Sequence, residues 1–171
     1  IESAGAAAQI WKTGHSHMKK RMKELEAPLA GEMSGHIFIA DDYLGFDDAI
    51  YAAVRVITQM VNGGQSITEF MDSLPEQHAT PELRIDCPDT VKFDSMEKIR
   101  AHVLSGHDAA DVNSIDGVRV KSGDGWWLIR ASNTEAALVA RAEAADRTAL
   151  DRLLSDIETT LGAAGLDWKR P

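Results

Sequence analysis

The run Val118-Arg119-Val120-Lys121-Ser122-Gly123-Asp124-Gly125-Trp126-Trp127-Leu128-Ile129-Arg130 reads as two strands joined by a tight turn. Alternating apolar side chains fit a half-buried strand, and the glycines flanking Asp124 supply the turn, so a hairpin is expected here. A third strand follows at Leu138-Val139-Ala140-Arg141-Ala142, and then a helix from about Arg147 to Gly162 with Leu150, Leu153, Leu154, Ile157 and Leu161 at helical spacing. Upstream, Leu83-Arg84-Ile85-Asp86-Cys87 alternates like another strand, and a helix from about Asp94 to Leu104 places Met96, Ile99 and Val103 on one face. The order is β-α-β-β-β-α, which predicts an α+β domain with two helices on a mainly antiparallel sheet.

This domain is expected to fill residues 82–171. Before it, Leu74-Pro75-Glu76-Gln77-His78-Ala79-Thr80-Pro81 holds two of the five prolines and cannot continue a helix, so 75–81 reads as a surface linker or hinge. Residues 1–74 have a different rhythm, with strands alternating with helices in a mixed sheet of α/β type. Strands are expected at Ala8-Gln9-Ile10-Trp11-Lys12, Leu29-Ala30 and Ile37-Phe38-Ile39. A helix capped by Ser16 runs to about Glu26 with Met18, Met22 and Leu25 on one stripe. A longer one, capped by Asp47 or Asp48, runs to about Asn62 with Ile50, Val54, Ile57 and Val61 as its buried stripe, and Gly63-Gly64 ends it. Ser66-Ile67-Thr68-Glu69 is a capping box that starts a short helix.

Composition narrows the function. A chain of 171 residues can fold as one domain or two small ones without staples, and the single Cys87 cannot build a disulfide framework, which points to a reducing compartment. The net charge of −9 is spread along the chain: residues 1–80 hold 6 Lys/Arg against 11 Asp/Glu, and residues 81–171 hold 12 against 16. Neither half is a basic nucleic-acid surface. No apolar run approaches the roughly 20 residues needed to cross a bilayer, and Ile1-Glu2-Ser3-Ala4 lacks the charged leader of a signal peptide. A chain that starts at Ile1 reads as a piece of something longer.

Chemistry concentrates in a few places. In Gly31-Glu32-Met33-Ser34-Gly35-His36 a carboxylate, a hydroxyl and an imidazole alternate, so an extended backbone would project them to one side. A carboxylate that accepts from vicinal hydroxyls, beside a hydroxyl that donates and accepts, is what a sugar ring requires; the bland reading is an ordinary polar turn. Arg130-Ala131-Ser132-Asn133-Thr134 puts a guanidinium at a strand end before a loop rich in donors, which fits a phosphate or else a solvated turn that bonds its own backbone. Thr13-Gly14-His15-Ser16 opens a helix whose backbone N–H groups would suit an anion, with Lys12 and His15 nearby. Asp41-Asp42 and Asp47-Asp48 read as helix caps and solvated carboxylates, and Asp124 as a turn residue. The six histidines have no zinc-ligand spacing, so no metal site is expected in this chain.

Taken in order, Trp11-Lys12-Thr13-Gly14-His15-Ser16, Gly31-Glu32-Met33-Ser34-Gly35-His36, Gly45-Phe46-Asp47-Asp48, Gly117-Val118-Arg119-Val120 and Gly125-Trp126 through Arg130-Ala131-Ser132-Asn133-Thr134 closely resemble the C-terminal part of the alpha-D-phosphohexomutases. The resemblance is to the bacterial phosphomannomutase/phosphoglucomutase group, and it covers nearly the whole chain. It implies a four-domain cytoplasmic enzyme that interconverts hexose 1-phosphate and 6-phosphate of glucose or mannose. The reaction runs through a bisphosphorylated sugar, with a phosphoserine and Mg2+. This chain resembles part of the third domain and all of the fourth. The phosphoserine loop and the magnesium ligands are expected upstream, and the chain alone is expected to be inactive.

The resemblance assigns Glu32 and Ser34 to the 3- and 4-hydroxyls of the sugar, which glucose and mannose share. It assigns Arg130, Ser132, Asn133 and Thr134 to the phosphate that is not reacting, and His15 and His36 to the active site as proton or phosphate helpers. Partners implied are hexose phosphates and the upstream domains of the same polypeptide, with neither nucleic acid nor membrane. A third domain without its first strand leaves an exposed sheet edge, so this unit is expected to be marginally stable or to self-associate by pairing with another chain. Where the family often has proline after the phosphate loop, Glu135-Ala136-Ala137 stand here, so a less rigid loop is expected. The alternative function is a free-standing, non-catalytic sugar-phosphate-binding or regulatory module.

Overall fold

The computed structural model describes residues 1, 2 and 5–170. The chain forms two compact units, Ile1–Pro75 and Glu76–Pro171.

The N-terminal unit contains α1 (His15–Leu25), β1 (Leu29–Gly31), β2 (Ile37–Ile39), α2 (Ala49–Gly63) and α3 (Ile67–Asp72). Helices and strands are both present as the α/β class requires, in the order helix, two strands, two helices, and the sheet is a two-stranded antiparallel hairpin and not a mixed one, with Leu29 opposite Ile39 and Gly31 opposite Ile37. Phe38 is fully buried, joined by Met22, Ile39 and Ala52. The Asp48 side chain caps α2 through the Tyr51 N–H at 2.9 Å, and Gly64 closes its C-terminus in the left-handed region. At α3 both bonds of the capping box form between Ser66 and Glu69.

Three expectations for this unit are corrected. Ala8–Lys12 forms no strand: it has no ladder partner among the described residues, and a strand exists only as one side of a ladder. The residue preceding α1 is Gly14, with no side-chain cap, so the helix starts two residues earlier than a Ser16 cap would allow. Finally, Ile50, Val54, Ile57 and Val61 are 52–81 % exposed, and Ala52 is the buried residue of α2. Periodicity identifies an apolar face but not what covers it, and among the described residues nothing covers this one.

The C-terminal unit contains β3 (His78–Ala79), β4 (Leu83–Asp86), α4 (Asp89–Gly106), β5 (Val112–Asn113), β6 (Val118–Ser122), β7 (Gly125–Ala131), β8 (Ala137–Ala144) and α5 (Arg147–Ala163). Its sheet runs in the order β3-β8-β7-β6-β5, with β4 also on β8, and every pairing is antiparallel. Alternate residues Val118, Val120, Trp127, Ile129, Leu138 and Ala140 are buried on one face, packed with Ile99 and Val103 of α4 and Ile157 and Leu161 of α5. Burying each valine, leucine or isoleucine of that set contributes about 2 kcal/mol. The opposite face carries Arg119, Trp126, Leu128, Arg130 and Arg141, all less buried.

Two boundaries differ from the sequence reading. Helix α4 begins at Asp89 and not near Asp94, because Pro88 already holds the N-cap backbone and Asp89 suits a first turn. The Pro75 to Pro81 segment is partly sheet: His78 and Ala79 pair with Ala144 and Glu143. Thr80 donates its N–H to Ala142 O at 3.0 Å and accepts the Ala142 N–H on Oγ1 at 3.1 Å, continuing the edge up to Pro81, which has no N–H to give. Among the described residues no helix is long and apolar enough to cross a membrane.

The β6–β7 turn rests on Gly125. Its φ is +143°, and a Cβ there would lie 2.1 Å from Glu143 O and 2.9 Å from Ala144 Cα on β8. Gly125→Ala is expected to destabilise the C-terminal unit by about 2 kcal/mol in urea unfolding followed by tryptophan fluorescence. Gly123→Ala, with no atom within 4 Å of the new methyl, is expected to stay within about 0.5 kcal/mol of the parent.

Candidate functional site

In the N-terminal unit the turn between β1 and β2 is closed by two backbone bonds, Glu32 N–H to His36 O at 2.8 Å and Gly35 N–H to Glu32 O at 2.9 Å. This fold-back directs the Glu32 carboxylate to the start of α1, where Oε1 accepts the Gly14 N–H at 2.9 Å. A carboxylate is favoured beside the free N–H groups of a helix N-terminus. Its other oxygen, Oε2, receives a long hydrogen bond from Ser34 Oγ at 3.4 Å. Glu32 and Ser34 therefore stand together on an exposed turn, with the carboxylate orientation fixed by backbone.

His36 and His15 meet on Asp47. His36 Nδ1 lies 2.7 Å from Asp47 Oδ2, and His15 Nε2 lies 3.8 Å from the same oxygen. The two imidazoles are 4.3 Å apart, edge to face, and His15 also packs edge-on against Phe38 at 5.3 Å. Asp47 Oδ1 accepts the Ile37 N–H at 3.2 Å, so the carboxylate is aimed by β2 itself. The hydrogen bond from His36 holds the Asp47 carboxyl below its ordinary value; partial desolvation opposes this, and the Ile37 N–H and the nearby imidazole charges add to it. With Asp47 ionised, Nδ1 of His36 carries the donated hydrogen, leaving Nε2 as the ring nitrogen able to exchange a proton.

In the sequence Asp47 reads as a helix cap or solvated carboxylate. The structure gives the capping to Asp48 alone and brings Asp47 to the histidines. The available signal was the doublet itself, since one of two adjacent aspartates suffices for one helix N-terminus. Asp48 also accepts from the Tyr43 hydroxyl at 2.7 Å, which lowers the Asp48 carboxyl together with the Tyr51 N–H and raises the Tyr43 phenol.

The ligand atoms of His15, His36 and Asp47 lie within 4.8 Å of one another. Two imidazoles and one carboxylate suit a borderline ion such as zinc, whereas magnesium takes an all-oxygen set. The cluster does not fit magnesium.

In the C-terminal unit Arg130 ends β7, and residues 132–136 turn the chain into β8. Gly117 lies against the Arg130 backbone so closely that a Cβ there would come 2.6 Å from Arg130 Cα. Ser132 N–H donates to Ala137 O at 2.9 Å, closing the loop at its base, and Ser132 Oγ accepts from the N–H groups of Thr134 at 3.4 Å and Glu135 at 3.2 Å. Ser132 is thus buried inside the loop, while the side chains of Asn133 and Thr134 are exposed and bond to no other described residue. The part-buried Arg130 guanidinium makes no hydrogen bond or ion pair among the described residues. Arg119 and Arg141 on the same face of the sheet likewise make no hydrogen bond or ion pair among the described residues, so what marks Arg130 is its place at the start of a donor-rich loop.

Lys92 stands in no motif of the sequence. Its Nζ donates to Ser132 O and Glu135 O, each at 2.9 Å, and lies 2.6 Å from Asp89 Oδ1. The signal was its spacing, four residues before Met96 and in line with Ile99 and Val103 on the buried face of α4. Arg84 on β4 pairs with the Glu135 side chain, a second tie on the loop.

The depressed Asp47 carboxyl has a testable sign. Its stabilising contribution is complete above its ordinary value of 3.8 and is lost as pH falls through the lower folded value. In His36→Ala, carbon-13 NMR of the Asp47 carboxyl is expected to show its titration moving up toward 3.8, because the largest cause of the depression is gone. An unchanged titration would contradict the pairing.

Comparison with known proteins places both units. Residues 1–78 match the family model for phosphoglucomutase/phosphomannomutase, alpha/beta/alpha domain III, and residues 82–160 match that for the phosphoglucomutase/phosphomannomutase C-terminal domain. A phosphomannomutase/phosphoglucomutase of Pseudomonas putida is 43% identical over 161 residues, which are 94% of this chain and 34% of the relative. A phosphoglucomutase of Neisseria gonorrhoeae is 39% identical, over 90% of this chain and 33% of the relative. The crystal structure of a phosphoglucomutase/phosphomannomutase family protein from Burkholderia thailandensis superposes with a TM-score of 0.85 at 36% identity, covering 97% of this chain and 35% of that one. The chain spans about a third of the length of the curated relatives it matches. It belongs to the phosphoglucomutase/phosphomannomutase family, of which it represents a C-terminal part.

Proposed function

We propose that this chain is the substrate-recognising portion of a phosphomannomutase/phosphoglucomutase. Such an enzyme interconverts hexose 1- and 6-phosphates through a bisphosphorylated sugar, with a phosphoserine and magnesium supplied by upstream residues of the same polypeptide. The observation that carries the reading is Arg130: a part-buried guanidinium with no hydrogen bond or ion pair among the described residues, just ahead of a loop on which the Asn133 and Thr134 side chains are exposed. A phosphate supplies what that arrangement lacks, two or more anionic oxygens for a planar fork of donors.

Each remaining group then has a task. Glu32 accepts from two adjacent sugar hydroxyls, its carboxylate already oriented by the Gly14 N–H, and Ser34 adds one donor and one acceptor. His36, held through Nδ1 by Asp47, takes or returns a proton on the hydroxyl that exchanges the phosphoryl group. His15 shares the Asp47 oxygen and lends its charge when protonated. The chain by itself lacks the phosphoryl donor in this scheme and turns over nothing. The upstream part of the polypeptide is the partner we assign to the uncovered stripe on α2, because the relatives are about three times as long. The lone thiol, Cys87, fits a reducing, cytoplasmic setting.

Calorimetric titration with glucose 1-phosphate tests the phosphate assignment. Arg130→Ala is expected to weaken binding about tenfold or more, the scale of a lost hydrogen bond to a charged group; unchanged affinity would remove the phosphate loop from the scheme. Mannose 1-phosphate differs from the glucose ester at carbon 2, which neither Glu32 nor Ser34 reads in this assignment. The two esters are therefore expected to bind within about threefold of each other, and Glu32→Ala to weaken both equally.

A further inference from the structure

Lys92 is an ammonium group at the bottom of the loop that Arg130 introduces. Its side chain is 6% exposed, and a buried cation is strongly destabilising unless its donors are satisfied. An ammonium has three, and three oxygens surround this one: the carbonyls of Ser132 and Glu135 and the carboxylate of Asp89. The two carbonyls sit at opposite ends of the loop, so one side chain from α4 fixes both ends.

The consequence lies on the other side of the peptide planes. In a trans peptide the C=O and the following N–H point in opposite directions, and the described chain has no cis bond. Turning Ser132 O and Glu135 O inward to Lys92 therefore turns the N–H groups of Asn133 and Ala136 outward. Neither donates to another group among the described residues. The exposed face of the loop thus presents two backbone donors that no other described group uses.

We propose that Lys92 is a positioning residue for phosphate: it never touches the anion, but it sets the Asn133 and Ala136 N–H groups to receive it. The inference rests on reading residues 130–134 as the phosphate loop, and it adds a backbone contribution to that site. It also accounts for a loop without proline after Thr134: Lys92 supplies from below the constraint that a ring would impose in the chain.

The test is a titration of the isotopically labelled chain with inorganic phosphate, followed by amide NMR. In the parent, the Asn133 and Ala136 amide signals are expected to move downfield with saturation. In Lys92→Met, phosphate affinity is expected to fall about tenfold and those two shifts to vanish, with the Trp127 indole signal unchanged as the sign of an intact core. Lys92→Arg, which keeps charge and donors, is expected to recover most of the affinity. A parent that binds phosphate in an Arg130-dependent way without moving those two amides overturns this inference and spares the loop assignment, and it does so even if the Met variant fails to fold. A folded Lys92→Met that binds like the parent does the same. A parent that binds no phosphate overturns both.

Discussion

Antiparallel pairing of β7 with β8 is the constraint on which the C-terminal unit depends. Seven register pairs, from Gly125 opposite Ala144 to Ala131 opposite Leu138, fix which residues face α4 and α5 and which face away. A slip of one residue would carry Trp127 and Ile129 out of the core and Arg130 into it. Gly125 locks one end, since only a residue without a Cβ lets β7 approach Glu143 so closely. At the other end the Ser132 N–H to Ala137 O bond closes the connection. The same pairing that builds the core thus delivers Arg130 and its loop to one place, and Gly117 on the neighbouring side keeps space around the Arg130 backbone.

In the N-terminal unit a few carboxylates organise the polar groups. Glu32 ties the β1–β2 turn to the start of α1. Asp47 ties His36 to β2 and gathers His15 beside it, and Asp48 caps α2 while holding Tyr43. The apolar core here is small, with Phe38 as its fully buried residue. Polar links between turns and helix ends therefore do much of the positioning, and protonating Asp47 in acid weakens one of them.

Much of this was legible in the sequence, and the failures have physical causes. The hairpin of β6 and β7, the strand at β8 and helix α5 follow from alternation, glycine placement and a leucine stripe, all local signals. The capping box at Ser66 and the Asp48 cap are local too. What could not be read depends on a partner distant in the chain. Among the described residues the stripe on α2 has the right period but no cover and Ala8–Lys12 has strand-like residues but no ladder, while His78–Ala79 looks like linker until β8 is beside it. Glu32, Ser34, His15 and His36 were found as candidates, yet Asp47 and Lys92 were missed: each is defined by what it contacts, 11 residues away for Asp47 and 40 and 43 for Lys92.

In the function proposed above, Arg130, unpaired among the described residues, and the loop after it hold a phosphate group. A crystal structure of the chain grown with glucose 1-phosphate tests it most directly. The phosphate is expected within hydrogen-bond distance of the Arg130 guanidinium and of the Ser132 to Thr134 segment. A crystal in which the ester is bound elsewhere and that loop holds only water would contradict it.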